Sequence, residues 1–175
     1  ALSLGWDPES VVSGLEHAPQ VPGRMERIDA GQPFALYVDY AHTPDGLDKA
    51  IRAVRAVTDG RVLVVFGCGG DRDRDKRSAM GAIAGELADS SILTSDNPRS
   101  EDPVGIILEI EDGMGDARHE VEINRRDAIR AAVRMAQPGD SVLVAGKGHE
   151  DYQIFADRTV DFDDREVARE EIEAL

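Results

Sequence analysis

Apolar residues along this chain fall into short continuous runs, separated by longer stretches in which apolar positions recur every three or four residues. Continuous runs of this kind are typical of strands that are buried on both faces of a parallel sheet. The wider spacing is typical of helices with one buried face. Strands and helices are therefore predicted in alternation. The predicted strands cover residues 34–38, 61–66, 91–94, 121–123 and 141–145.

Helices are predicted between these strands, where the apolar spacing changes. The clearest of them is expected to bury one row of side chains, formed by Leu47, Ile51, Val54 and Val57. Pro103 suits the first turn of a later helix, and Ser100 or Asp102 suits its N-cap position. The predicted helices cover residues 45–57, 78–88, a stretch from 103 onward, 127–136 and 164–175.

The alternation of strand and helix repeats along most of the chain. A hairpin of residues 153–155 and 159–162 is predicted just before the last helix. Repeated strand–helix units are typical of the α/β fold class. We therefore expect a doubly wound, mostly parallel sheet with helices on both faces.

The first 23 residues differ from this pattern. A short helix is predicted over residues 8–17, with Asp7 as N-cap and Pro8 at the first helical position. Residues 19–23 contain two prolines and a glycine and indicate a linker. We therefore expect a separate segment at 1–23 and a main domain at 24–175. Because the chain starts at alanine in what looks like mid-element, we expect it to be part of a longer protein.

Composition narrows the classes of partner. The net charge is −15, which opposes binding to nucleic acid or to an anionic membrane surface. No apolar run reaches the length of a membrane span, and no signal peptide is visible. A single cysteine, Cys68, rules out an internal disulfide and favours a cytoplasmic location. One cysteine and four scattered histidines give no metal-ligand spacing, so no metal site is expected.

Polar clusters directly follow four of the predicted strands. If those strands are parallel, the clusters share the carboxyl edge of the sheet, where open α/β sheets bind ligands. We therefore expect a site for a small charged molecule at this edge. For the third cluster a capped turn stiffened by Pro98 is the alternative. The clusters are residues 39–42, 67–72, 96–99 and 146–150.

The glycine-rich cluster at residues 67–72 has the spacing of neither a dinucleotide fingerprint nor a Walker motif. Its glycines favour close approach of the backbone to a ligand, and Arg72 supplies a guanidinium group. The alternative is a solvated charge run, because aspartates alternate with the basic residues from 71 to 77. We expect Arg72 to bind a ligand and Arg74 not to.

Taken in order, these clusters closely resemble the C-terminal domain of the Mur ligases. The resemblance is greatest to the members that add meso-diaminopimelate to UDP-N-acetylmuramoyl-L-alanyl-D-glutamate in peptidoglycan biosynthesis. In that family ATP phosphorylates a carboxylate, and the amine of an amino acid attacks the acyl phosphate to form an amide. The stretches that carry the resemblance are residues 22–26, 39–44, 67–73, 96–99 and 146–153.

The resemblance implies a substrate site for meso-diaminopimelate. Arg72 and Arg99 would hold carboxylate, for which guanidinium groups are suited. Glu150 and the carbonyl of Gly146 would take the ammonium, and Asn97 would orient the backbone of the ligand. The other implied members of the substrate site are Asp96 and Pro98.

The resemblance also implies cofactors. Arg24, Asp39 and His42 would approach ATP when the enzyme closes. The phosphate loop of the family is missing from these residues, so ATP and Mg²⁺ would be bound mainly by other domains. The 175 residues alone are therefore expected to be inactive. A stand-alone α/β binding or regulatory module for another small zwitterion remains the alternative.

Overall fold

The computed structural model describes residues 2–175. It has a short 3-10 helix, Leu2–Leu4, followed by six α-helices and eight strands in the described chain. The strands are β1 (Glu26–Arg27), β2 (Ala35–Asp39), β3 (Val62–Phe66), β4 (Ser90–Leu93), β5 (His119–Val121), β6 (Ser141–Ala145), β7 (Tyr152–Ile154) and β8 (Thr159–Asp161). The helices are α1 (Pro8–Glu16), α2 (Pro44–Arg55), α3 (Asp75–Leu87), α4 (Pro103–Met114), α5 (Arg125–Met135) and α6 (Asp164–Glu173).

Six strands form the main sheet in the order β1-β2-β6-β3-β4-β5. All neighbouring pairs from β2 to β5 are parallel, and only β1 runs antiparallel at the edge. Strands β7 and β8 form the predicted hairpin. The α/β prediction is therefore confirmed, because the apolar runs pair side by side as buried parallel strands. Parallel pairing also brings the carboxyl ends of β2, β6, β3 and β4 to one edge.

Helices cover both faces of the sheet, as predicted. Helices α2, α3 and α4 pack over one core, which contains Phe66 and Leu143. Helices α5 and α6 pack over a second core, which contains Leu36 and Val142 on the opposite face. Neighbouring residues of β6 thus enter different cores, because successive side chains of a strand point to opposite faces.

The prediction that Val57 is buried is wrong. Its side chain is 68% exposed, whereas Leu47, Ile51 and Val54 are fully buried. Helix α2 ends at Arg55, and the amide of Val57 bonds the carbonyl of Val54 in a tightened final turn. Helical spacing therefore no longer describes the direction of the Val57 side chain.

Several boundaries also differ from prediction. Helix α3 begins at Asp75 rather than at residue 78, because a charged first turn has no apolar spacing to mark it. Strand β1 was not predicted at all, since its two residues are polar and it forms only by pairing with β2. The cap of α4 is Asp102, whose carboxylate accepts a hydrogen bond from the amide of Val104.

Helix α1 matches its prediction, with Asp7 accepting a hydrogen bond of 2.9 Å from the amide of Ser10. The surrounding segment leaves large apolar side chains exposed. Trp6 is 62% exposed, Val12 53% and Leu15 72%. None of the helices in residues 2–175 combines the length and the apolarity that crossing a bilayer requires.

Candidate functional site

A cavity of about 530 Å³ opens at the carboxyl edge of the sheet, between the loops that follow β2, β3, β4 and β6. Most of the residues predicted for the site line it, whereas Arg24, Asp39 and Pro98 do not. We call this cavity the edge pocket. The predicted residues that line it are His42, Arg72, Asp96, Asn97, Arg99, Gly146 and Glu150, and its lining also includes Tyr40, Cys68, Lys76 and Tyr152.

Arg99 enters the edge pocket from a strained backbone. Its φ is 53°, in the left-handed region that side chains rarely adopt. Its amide donates to the carbonyl of Ile154 at 3.0 Å, which anchors the loop on the hairpin. One terminal nitrogen of its guanidinium donates to the carbonyl of Gly70 at 2.8 Å. Among residues 2–175 Arg99 has no acidic partner, so the guanidinium keeps its charge available to a ligand.

Arg72 is exposed at the rim of the edge pocket and likewise forms no ion pair within the described chain. The neighbouring aspartates do not neutralise the basic run, because Arg74 pairs with Glu109 on α4. Arg77 is fully buried and binds Glu101 and Glu109. Hydrogen bonding from Arg77 lowers the pKa of Glu101 to about 2. Arg74 and Arg77 are therefore paired with glutamates, whereas Arg72 and Lys76 line the edge pocket without an ion pair in the described residues.

The loops that carry Arg72 and Arg99 are fastened to each other. The carboxylate of Asp71 accepts from the hydroxyl of Ser100 at 2.6 Å and from its amide at 3.2 Å. The amide of Asp71 donates to Glu101 at 2.6 Å. Asp71 directly precedes Arg72, and Ser100 directly follows Arg99. These hydrogen bonds therefore hold both arginines at one rim of the edge pocket.

Three polar side chains form a ring of contacts beneath the edge pocket. The amide nitrogen of Asn97 donates to Oε2 of Glu150 at 2.9 Å. Nζ of Lys147 lies 3.2 Å from Oδ1 of Asn97 and 3.3 Å from Oε2 of Glu150. Burial lowers the pKa of Lys147. Asn97 does not bond its own backbone, as it would in a simple capped turn.

Asp96 lies at the floor of the edge pocket and is only 7% exposed. Among residues 2–175 its carboxylate accepts no hydrogen bond, while its backbone carbonyl accepts from Gln153 at 2.7 Å. A Cβ on Gly146 would lie 2.6 Å from Oδ2 of Asp96, and the φ of Gly146 is 121°. Gly146 is therefore required for close approach between the ends of β4 and β6.

Arg125 and Asp164 form a fully buried ion pair behind this floor, at 2.7 Å. Arg125 also donates to the carbonyl of Ser95 at 3.3 Å and to that of Ala145 at 3.1 Å. One guanidinium thus joins the ends of β4 and β6. Sequence reasoning missed this pair and gave Lys147 no role, because the sequence does not distinguish buried charges from exposed ones.

Two of the residues predicted near ATP, Arg24 and His42, pack against Tyr40, which lines the edge pocket. The guanidinium of Arg24 lies 4.6 Å from the ring centroid of Tyr40, and the ring of His42 packs against Tyr40 at 4.5 Å. Burial raises the pKa of Tyr40, and the charge of Glu150 adds to the shift. The carboxylate of Asp39 accepts from the amide of Met25 at 2.7 Å. Arg24 and His42 remain exposed to a ligand.

Metal-binding side chains do not converge anywhere in the described part of the chain. Cys68 lines the edge pocket but is buried, and burial raises the pKa of its thiol to about 12. The thiol is therefore protonated at neutral pH and is a poor metal ligand and a poor nucleophile.

Comparison with protein families matches residues 23–148 to the model described as "Mur ligase, glutamate ligase domain". Curated relatives include the UDP-N-acetylmuramoyl-L-alanyl-D-glutamate--2,6-diaminopimelate ligases of Syntrophomonas wolfei and Solibacter usitatus. The first is 51% identical over 97% of this chain and 35% of its own length. The second is 53% identical with the same two coverages, 97% and 35%. The chain thus spans about a third of the length of these relatives.

Solved structures give the same match. A structure of UDP-N-acetylmuramoyl-L-alanyl-D-glutamate--2,6-diaminopimelate ligase superimposes with a TM-score of 0.84 at 40% identity. The match covers 99% of this chain and 36% of that one. Folylpolyglutamate synthase of Mycobacterium tuberculosis reaches a TM-score of 0.61 at 23% identity over 81% of this chain and 33% of its own. The second similarity indicates a shared fold alone.

Proposed function

Because this chain belongs to the Mur ligase family, we propose that it is the amino-acid-binding C-terminal domain of an ATP-dependent amide ligase. Its relatives support a more specific proposal, since those at 51–53% identity are named as 2,6-diaminopimelate ligases. The amino acid is then meso-diaminopimelate, and the acceptor of the full enzyme is UDP-N-acetylmuramoyl-L-alanyl-D-glutamate.

One observation carries this proposal. In a chain with a net charge of −15, two guanidinium groups without acidic partners in the described residues stand at one pocket. Beneath them, Oε1 of Glu150 accepts no hydrogen bond from residues 2–175, while Oε2 accepts two. Unpaired cations at the rim and a free carboxylate oxygen at the floor match a ligand end that carries both carboxylate and ammonium.

The proposed roles follow from these positions. Arg72 and Arg99 bind carboxylate, and Glu150 together with the carbonyl of Gly146 binds the ammonium. Asn97 orients the backbone of the ligand, while Asp96 and Pro98 shape the floor and the turn. Ligand held in this way presents its other amine to the activated carboxylate of the acceptor.

ATP supplies the activation of that carboxylate in the proposed reaction. Arg24 and His42 are suited to approach it, because both are exposed next to Tyr40. Asp39 contributes by holding Met25 and the loop that carries Arg24. Mg²⁺ and the phosphates are bound mainly by the other domains of the longer protein, so the isolated chain is inactive. The proposed location of the enzyme is the cytoplasm.

The same proposal divides the chain into two parts. Residues 1–23 form the end of the preceding ATP-binding domain together with a linker, and residues 24–175 form the amino-acid-binding domain. The exposed apolar side chains around α1 support this division. A group of large apolar side chains on a protein surface usually marks a contact with another domain or protein.

Arg99→Ala in the full-length enzyme tests the proposed function. The far carboxylate of diaminopimelate would lose a charge-assisted hydrogen bond, which contributes about 1.5–3 kcal/mol, so kcat/KM should fall roughly ten- to a hundredfold. Lysine lacks that carboxylate, so whatever use the enzyme makes of lysine should change little. The measurement is kcat/KM for both amino acids in the wild-type and variant enzymes.

Arg74→Ala is the matched control, because Arg74 belongs to the same basic run but pairs with Glu109 outside the edge pocket. It should leave both substrates unaffected. If Arg99→Ala left the ratio of kcat/KM for diaminopimelate to kcat/KM for lysine unchanged, Arg99 would not be part of the substrate site. A full-length wild-type protein that forms no amide with either amino acid would reject the ligase function itself.

A further inference from the structure

Lys147 is completely buried at the end of β6, although lysine is almost never fully buried unless it is paired. It does not line the edge pocket. Its ammonium contacts Asn97 at 3.2 Å and Glu150 at 3.3 Å, and it lies 5.5 Å from the ring centroid of Tyr152. The charge is therefore placed directly behind two residues that face the pocket.

Lys147 and the backbone amide of Ile154 together determine which way the amide of Asn97 points. Oδ1 of Asn97 accepts from Lys147 and from the amide of Ile154, the latter at 3.0 Å. A flipped amide would bring its NH₂ group against both of these donors. The observed orientation leaves the NH₂ group to donate to Glu150, so the contacts of Asn97 and Glu150 are set together.

The same contacts turn Glu150 toward the edge pocket. Its Oε2 is occupied by Asn97 and Lys147, while Oε1 accepts no hydrogen bond from residues 2–175. The Glu150 side chain is 18% exposed, whereas that of Lys147 is not exposed at all. The lysine thus holds one oxygen from behind and leaves the other for a ligand.

Charge balance explains why this arrangement needs a cation. The charged groups around Lys147 are the carboxylates of Asp96, Glu150 and Asp164 and the guanidinium of Arg125. Arg125 is already paired with Asp164. Lys147 is therefore the cation that offsets the carboxylates of Asp96 and Glu150 from behind the pocket. Without Lys147, the neighbouring carboxylates of Asp96 and Glu150 would repel each other, and Glu150 would turn away.

We propose that Lys147 is a positioning residue for substrate specificity, which holds Asn97 and Glu150 so that they recognise the ammonium at the far end of the amino-acid substrate. This inference rests on the proposed function and adds a residue that acts through two others. Lys147 makes no contact with the substrate itself.

The test compares meso-diaminopimelate with 2-aminopimelate, which keeps both carboxylates but lacks the far ammonium. In the full-length enzyme, Lys147→Met should lower the ratio of kcat/KM for diaminopimelate to kcat/KM for 2-aminopimelate by roughly ten- to a hundredfold. Glu150→Gln should lower the same ratio by a similar factor. The double variant should do little more than either single one, because residues that act as a unit are not additive.

Lys147→Gln serves as a second variant, since it keeps a donor for Asn97 without the charge and should also lower the ratio. Arg61→Met is the matched control, because it removes a different partly buried cation, paired with Asp140 at the opposite edge of the sheet. It should reduce stability and leave the ratio unchanged.

Equal losses for both substrates in the Lys147 variants, or additive losses in the double variant, would reduce Lys147 to a structural residue and overturn the inference. In that case a wild-type enzyme that prefers diaminopimelate would still support the proposed function. A wild-type enzyme that does not distinguish the two substrates would count against recognition of the far ammonium altogether, and with it against the role of Lys147.

Discussion

At the residue scale, glycine decides how closely the loops of the edge pocket approach each other. A Cβ added at Gly70 would lie 1.9 Å from the carbonyl oxygen of Pro98. The amide of Gly70 also donates to the carbonyl of Asn97 at 2.9 Å. The two loops therefore pack backbone against backbone, and this packing brings Arg72 and Arg99 to the same rim.

Gly70→Ala should destabilise the chain by about 1–3 kcal/mol, because overpacking forces the backbone of the facing loop to move. Gly105→Ala is the control, since a Cβ at Gly105 in α4 meets nothing within 4 Å. It should stabilise by about 0.5–1 kcal/mol through the higher helix propensity of alanine. Chemical denaturation measures both, and equal effects would contradict the close approach seen at Gly70.

At the element scale, His119 joins α4 to β5. Its Nε2 lies 3.0 Å from Glu111, and its Nδ1 lies 2.9 Å from the carbonyl of Ala117. Both ring nitrogens therefore face acceptors, an arrangement that favours the protonated ring. The hydrogen bond to Ala117, followed by that to Glu111, raises the pKa of His119 above its ordinary value of 6.5.

Because the pKa of His119 is raised in the folded state, its protonated ring stabilises the fold. This contribution is complete at pH values below the pKa of the unfolded state, near 6.5. That contribution is lost as the pH rises through the folded pKa. Glu111→Gln should therefore cost about 0.5–1 kcal/mol at about pH 5.5 and much less at about pH 8.5. Urea denaturation at the two pH values measures the difference.

Asp45→Asn is the control for this pH dependence. It removes an exposed ion pair with Lys49 on α2 that contains no histidine. Its effect on the free energy of unfolding should be the same at both pH values. If Glu111→Gln behaved in that way too, the charge of His119 would not contribute to joining α4 and β5.

At the scale of the whole molecule, the segment around α1 leaves several large apolar side chains exposed. Trp6, Val12 and Leu15 are each more than half exposed, at 62%, 53% and 72%. Relatives of this chain are about three times as long. These facts support the proposal that residues 1–23 are the end of the preceding domain and a linker, with these side chains packed in the rest of that domain.

Trp6→Ser should change the thermal unfolding of the isolated chain by little, because most of the indole is already in water. In the full-length enzyme the same change should lower Tm by several degrees, since burial of a large aromatic side chain contributes about 1.5–3 kcal/mol or more. Val57→Ser is the control, because Val57 is 68% exposed on α2 in the main domain. Equal Tm shifts in the isolated chain and the full-length enzyme would contradict packing at Trp6.

The sequence by itself determined the α/β class and the succession of strands and helices along the chain, and it predicted a common edge for the polar clusters on the condition that the strands are parallel. These properties follow from local spacing, because continuous apolar runs and helical repeats each depend only on neighbours in the chain. Val57 shows the limit of this argument, since a repeat that continues past the end of α2 no longer reports burial. The hydrogen bonds that join one loop to another, such as that between Asp71 and Ser100, were not predictable.

Only the tertiary structure decided which charges pair and which remain available to a ligand. Arg74, Arg77 and Arg99 look alike in sequence, yet the first two bind glutamates and the third faces the edge pocket. Likewise, nothing local marks Lys147 as buried. The physical reason is that the partner of a charge is set by which loops meet in space, and those loops lie tens of residues apart along the chain.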